Sequence, residues 1–98
     1  MMNINEFKES LLRDEPPAGL TAYLRSLWLD ANNDWEAAHT VIQDLEDKTA
    51  AWIHGYLHRK EGDNGNARYW YTRAGKEMPK LTLDEEWKYI TESLLNAK

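Results

Sequence analysis

The stretch from residue 51 to residue 75, AWIHGYLHRKEGDNGNARYWYTRAG, constrains the fold of this chain more than any other. It predicts two helices joined by the turn Gly-Asp-Asn-Gly at residues 62–65, because apolar residues recur at three- and four-residue spacing on both sides. Gly75 is suited to end the second helix, and Pro79 cannot continue it. The stretch also contains His54 and His58, so tight packing and candidate chemistry fall in one predicted helical hairpin.

Capping signals predict further helices on both sides of this hairpin. The predicted caps are Asn3 with Glu6, Thr21, Asn33 with Glu36, Thr49, Asp63 or Asn64, and Thr82 with Glu85. The helix after Asn3 is predicted to end near Arg13, and the helix after Asn33 near Asp47 or Lys48. No segment sustains the alternation of apolar and polar residues that is typical of a strand. The sequence therefore predicts one all-α domain, residues 1–98, with two antiparallel helical hairpins and flanking N- and C-terminal helices.

A weak internal repeat supports the two hairpins. Residues 34–45 match residues 63–74 at an offset of 29, with Ala38 opposite Ala67 and Ile42 opposite Tyr71. Such a repeat predicts that the two hairpins stack, with the first and last helices covering exposed apolar faces.

Residues 51–79 resemble a tetratricopeptide repeat. The residues that carry the resemblance are Gly55, Gly62, Asp63, Ala67, Tyr71, Ala74 and Pro79. The segment ARYWYTRAG, residues 67–75, also resembles the second helix of SEL-like repeats. The resemblance implies a small tetratricopeptide-like domain that binds peptides or proteins in a groove, with Trp52, Ile53, Tyr56 and Arg59 on the ligand side. His54 and His58 depart from the repeat pattern, which usually has a leucine and an aromatic residue there.

Composition excludes several classes of function. The net charge of -5 and the pI of about 5.1 argue against general DNA binding. The absence of cysteine excludes disulfides, thiolate metal sites and a cysteine nucleophile. The first ten residues lack the pattern of a signal peptide, and no apolar stretch approaches the roughly 20 residues of a membrane span. We therefore expect a cytoplasmic protein that binds neither DNA nor membranes, and no cofactor is predicted.

The histidine pair has two interpretations. His54 and His58 are four residues apart, so they share a helix face that Glu61 continues. This spacing resembles that of a zinc-binding helix, in which case Glu61, Asp63 or His39 would be the third ligand. Otherwise both rings pack between helices and bond to carboxylates or tyrosines. In both cases we expect the two rings to be at least partly buried and to face the fifth helix.

The same hairpin is locally basic. Residues 51–76 contain five Lys or Arg and two acids, a net charge of +3. Because the whole chain has a net charge of -5, the remaining residues carry -8. Basic residues beside aromatic ones suit a phosphate, a carboxylate or a single-stranded nucleic acid, unless acids elsewhere in the fold neutralise them. The leading interpretation is a domain that binds a peptide, a protein or a small anionic ligand. The predicted ligand-binding residues are His54, His58, Arg59, Tyr69, Trp70 and Arg73.

The alternative is a metal-binding protein or a metal-dependent hydrolase that uses His54, His58 and Glu61. No catalytic residue is predicted apart from this alternative, because no serine has a recognisable histidine and acid partner. An enzyme is thus the less favoured interpretation.

Overall fold

The computed structural model describes residues 2–96, and within that range it contains α-helices and no strand. The helices are α1 (Ile4–Ser10), α2 (Ala22–Ala31), α3 (Trp35–Ile42), α4 (Lys48–Lys60), α5 (Asn64–Ala74) and α6 (Leu83–Leu95). The all-α class predicted from the sequence is therefore confirmed. None of the described helices is long and apolar enough to cross a membrane.

Side-chain caps begin five of these helices. Asn3 and Thr82 form reciprocal capping boxes with the glutamates three residues later, as predicted. Thr21 caps α2, and Asp63 caps α5. Gly75 ends α5 with a φ of 76°, a left-handed conformation that glycine adopts without steric cost. Local sequence thus sets most helix ends.

The predicted start of α3 is wrong by one residue. Asn33 adopts a left-handed φ of 65°, and Asp34 is the N-cap, since its carboxylate accepts from the backbone N–H of Ala37 at 3.2 Å. Asparagine tolerates the left-handed conformation better than most residues, so the turn takes Asn33 and leaves the cap to the next residue.

The predicted ends of α1 and α3 and the start of α4 are also wrong. α1 ends at Ser10 rather than Arg13, and α3 ends at Ile42 rather than at residue 47 or 48. Beyond Ile42 no core is available to pack against, and Leu45 remains 37% exposed. Asp47, not Thr49, is the N-cap of α4, although its side chain makes no capping hydrogen bond. That carboxylate accepts from the hydroxyl of Tyr23 at 2.6 Å instead.

The two most extensive helix contacts join neighbours in sequence, α4 with α5 and α2 with α3. A glycine makes the α4–α5 contact close. A Cβ placed on Gly55 would lie 3.2 Å from the Tyr71 ring and 3.3 Å from the carbonyl oxygen of Ala67. Small residues at both positions therefore let the two helices approach, as expected from their spacing.

α4 is the centre of the core, and α6 covers one of its faces. Ile53, Tyr56 and Leu57 on α4 are fully or almost fully buried. From α6, Trp87 donates its indole N–H to the carbonyl of Leu27 on α2 at 2.9 Å. The face of α4 that was expected to line an open groove is therefore covered by α2 and α6. α2 and α6 occlude it because the core of so short a chain needs their apolar surface.

Candidate metal centre

Three histidines, which are all the histidines of the chain, lie together where α3 meets α4. His54 and His58 are one turn apart on α4, and their rings stack with centroids 5.0 Å apart. His39 comes from α3, and its Nε2 lies 2.8 Å from Nε2 of His54. One ligand nitrogen from each ring lies within 4.8 Å of the other two. We call these three residues the histidine cluster.

Trp35 positions His39. It begins α3, and its indole N–H donates to the carbonyl of Leu57 on α4 at 2.7 Å. Its ring stacks on that of His39 with an interplanar angle of 13° and centroids 5.0 Å apart. Because residues four apart lie on one helix face, the residue that ties α3 to α4 also aims His39 at α4.

Trp70 forms the opposite wall of the cluster. Its ring, from α5, stacks on that of His54 with centroids 3.9 Å apart. His54 is 5% exposed, and His58 is half-buried. The expectation that both rings are at least partly buried is confirmed, and His54 faces α5 as expected. His58 instead contacts His39 and the edge of Trp35.

Glu61 orients His58. Its Oε1 lies 2.6 Å from Nδ1 of His58, which leaves the Nε2 of that ring available to a metal ion. A histidine that binds a metal commonly has a carboxylate on its other nitrogen. Glu61, predicted as a metal ligand in the alternative interpretation, has the position of such a carboxylate beside His58, and His39 is the third ring of the cluster.

A second set of possible ligands is less suitable. His58, Glu61 and Asp63 also have donor atoms within 4.8 Å of one another, near the exposed start of α5. However, Asp63 caps α5, accepting from the backbone N–H of Asn66 at 3.2 Å and from its side-chain amide at 2.7 Å. A metal there would compete with the cap, whereas the histidine cluster serves no cap.

Electrostatics keep two rings of the cluster neutral. Burial, together with smaller contributions from the neighbouring His39 and His58, lowers the pKa of His54 to about 4. Burial also lowers the pKa of His39, with a smaller contribution from His58 and an opposing one from Glu61. Imidazole binds metal through its neutral form, so these two rings need not release a proton at neutral pH.

The spacing of the cluster suits zinc. Zn–N bonds of about 2.0–2.1 Å place the nitrogens of a tetrahedral site about 3.3 Å apart. The closest pair, on His39 and His54, is 2.8 Å apart, and all three nitrogens lie within 4.8 Å of each other. These separations span the spacing that a tetrahedral zinc site requires.

The remaining residues of the predicted ligand site divide into two groups. Tyr69 is 53% exposed, and its hydroxyl lies 3.3 Å from Nη1 of Arg73. The Arg73 guanidinium also lies 5.2 Å from the centre of the Trp70 ring, within the range of a cation–π contact. Trp70 therefore joins these residues to the histidine cluster.

Arg59 lies apart from the others. Its guanidinium donates to Glu86 at 2.7 Å and to the carbonyl of Leu81, in the direction of α6. The structure therefore brings together His54, His58, Tyr69, Trp70 and Arg73, but not Arg59. His39, which joins them, was only one of three options for a third ligand, because nothing in the sequence shows that α3 packs on α4.

Comparisons of the chain with protein-family models, with curated proteins and with solved structures found no match.

Proposed function

We propose that this domain binds a divalent transition-metal ion, with zinc as the best-suited ion, through His39, His54 and His58. The observation that carries the proposal is the convergence of three imidazole nitrogens within 4.8 Å from two different helices. Histidines four residues apart on one helix supply two ligands, and the packing of α3 supplies the third.

The chemistry of the surroundings supports this choice. Imidazole ligands suit zinc, copper, nickel and iron, and the chain has no cysteine that would favour a thiolate site. The carboxylate of Glu61 on Nδ1 of His58 is the supporting contact typical of metal-binding histidines. Trp35 and Trp70 lie against the two sides of the cluster and restrict the orientation of its rings.

A purely structural role is the main alternative. The 2.8 Å contact lets one of His39 and His54 donate to the other, so the pair has a hydrogen bond without any metal. The two roles differ in one measurable property. A metal that binds the folded state stabilises it in proportion to the logarithm of its concentration, whereas a hydrogen-bonded pair does not respond to metal.

The test is calorimetric titration of the untagged full chain, freed of metal, with Zn²⁺. We expect one ion per chain and a melting temperature that rises with zinc concentration. His39→Gln should weaken binding by about 100-fold or more, because it removes a direct ligand. Failure to bind one equivalent of zinc, or unchanged binding by His39→Gln, would overturn the proposal.

Asp63→Asn is the matched control. Asparagine is as good an N-cap as aspartate, so α5 should remain intact while the carboxylate is lost. Unchanged zinc affinity in this variant would assign the ion to the histidine cluster. A large loss would place it at His58, Glu61 and Asp63 instead.

We propose as a second candidate that the surface formed by Tyr69, Trp70 and Arg73 binds an acidic peptide, in the manner of a tetratricopeptide-like interaction domain. The exposure of Tyr69 beside the Arg73 guanidinium favours it, because the pair offers a stacking face and a carboxylate partner. NMR titration with an oligoglutamate peptide tests it. We expect chemical-shift changes centred on Tyr69 and Arg73. These changes should be lost in Arg73→Ala and kept in the control Arg68→Ala. Changes of the same size in Arg73→Ala and in the wild type would contradict the proposal.

A further inference from the structure

We infer that the metal ion held by the histidine cluster keeps one coordination position open and binds a carboxylate-bearing ligand there. This inference rests on the proposed metal site. It adds the chemical class of the ligand that the site would take from solution.

The histidine cluster offers three protein ligands to a metal ion. Within residues 2–96, the set of possible donor atoms around His39, His54 and His58 contains only these three residues. Structural zinc sites are closed by four protein ligands, whereas sites with three keep a position for water or another ligand. Three imidazoles therefore leave the coordination shell incomplete.

The two nearest carboxylates are already engaged. Glu61 contacts Nδ1 of His58, the nitrogen on the far side of the ring from the one left to the metal. Asp63 caps α5 through two contacts with Asn66. Neither carboxylate completes the shell without giving up a contact that it makes here.

Part of the histidine cluster is exposed to solvent, so a ligand from solution can reach it. His54 lies under the Trp70 ring and is buried, while His39 and His58 are half-buried and reach solvent. The Trp70 ring covers His54, and the Trp35 ring lies against one side of His39 and His58. A ligand from solution would therefore reach the ion past the exposed parts of His39 and His58 that Trp35 leaves uncovered.

Charge selects an anion. Neutral imidazoles leave the ion its full double charge, so the largest local charge at the site is positive. Of the basic side chains of residues 51–76, Arg59 pairs with Glu86 and Lys60 with Asp30, whereas the Arg73 guanidinium lies against Trp70 beside the cluster. Among anions, oxygen donors such as carboxylates are ordinary zinc ligands. A carboxylate can therefore coordinate the ion at the open position, and its negative charge offsets the positive charge of the ion.

The experiment uses the full chain loaded with one equivalent of Co²⁺, whose visible absorption reports the coordination shell. Titration with acetate, and separately with azide, should change the spectrum saturably while cobalt stays bound through dialysis. The Glu61→Gln variant should bind cobalt more weakly, because His58 loses its carboxylate partner, but its cobalt-loaded form should still change its spectrum with acetate.

The possible failures are distinguishable. If the chain does not bind cobalt, the proposed metal site fails, and this inference fails with it. If the chain binds cobalt but neither anion changes the spectrum, the open position is ruled out while the proposed metal site stands. Two further outcomes would also overturn the inference. A spectral response to anions that appears only in Glu61→Gln would show that Glu61 is the fourth ligand. A dimer that forms in sedimentation only when cobalt is bound would show that a second copy of the chain occupies the position.

Discussion

Arg59 and Glu86 form an ion pair across the contact between α4 and α6, with Nη1 of the arginine 2.7 Å from Oε1 of the glutamate. Glu86 is 1% exposed, and its second oxygen accepts from the hydroxyl of Tyr71. Burial raises the pKa of Glu86, while its bonds to Tyr71 and Arg59 oppose that rise. The arginine expected in a ligand site instead helps to hold the last helix on the core.

Removing the cation should therefore cost much of the stability of the domain. We expect Arg59→Met to lower the free energy of unfolding by about 3–5 kcal/mol, because the buried carboxylate loses its partner. Adding Glu86→Gln should restore part of it, since the neutral amide still accepts from Tyr71. Urea unfolding measures both changes. Arg68→Met, on the exposed face of α5, is the control, and equal stability of the Arg59 and Arg68 variants would contradict the prediction.

Gly55 should not tolerate a larger side chain. Because a Cβ there already meets Tyr71 at 3.2 Å, Gly55→Leu should cost on the order of 1–3 kcal/mol by overpacking the α4–α5 contact. Ala67→Leu should have a similar effect, since Ala67 is fully buried on the facing helix. Gly65→Ala is the matched control, because its nearest neighbour would lie 3.9 Å away. Unchanged denaturation midpoints in both leucine variants would rule out close packing here.

α6 should be needed for solubility as well as stability. A chain that ends at Lys80 lacks Trp87 and Ile90 and uncovers the apolar face beneath them, so we expect it to aggregate. Point variants separate this effect from chain length. Ile90→Asp should disrupt folding because Ile90 is fully buried, whereas Lys88→Asp on the exposed face should not. Light scattering and circular dichroism test both, and a monomeric truncated protein with native helicity would contradict the prediction.

The metal-free protein should lose stability in mild acid. Burial, with the charges of His39 and His58, lowers the pKa of His54 to about 4 from an ordinary value of 6.5. The unfolded chain then binds a proton more readily than the folded chain as pH falls, so folding is opposed progressively between pH 6.5 and about 4. The loss should be on the order of 3 kcal/mol, at about 1.4 kcal/mol per pKa unit.

The control for this prediction is His54→Gln. Glutamine keeps a hydrogen-bonding group beside His39 but does not titrate, so this part of the pH dependence should disappear. Chemical denaturation at a series of pH values tests it in the presence of a chelator. A pH profile identical in wild type and His54→Gln would show that the titration of this ring does not control stability.

The helices of this domain and most of their ends were predictable because the signals that set them are local. Asn3 and Thr82 cap their helices through side chains three residues away, and Gly75 ends α5 through its own backbone conformation. The pair His54 and His58 also followed from helix geometry alone. Such features depend on residues a few positions apart, which the sequence displays directly.

Tertiary packing decided the rest. α3 ends at Ile42 because the core ends there, although the local pattern continues to Leu45. Arg59 turns to Glu86, 27 residues away, and not to the histidines near it in sequence. The third ring of the cluster, His39, arrives because Trp35 ties α3 to α4. The sequence by itself determined the helices and the pair His54 and His58. Only tertiary packing brought His39 to that pair, because contacts between helices distant in sequence depend on which surfaces are buried together, and no short spacing in the sequence shows that.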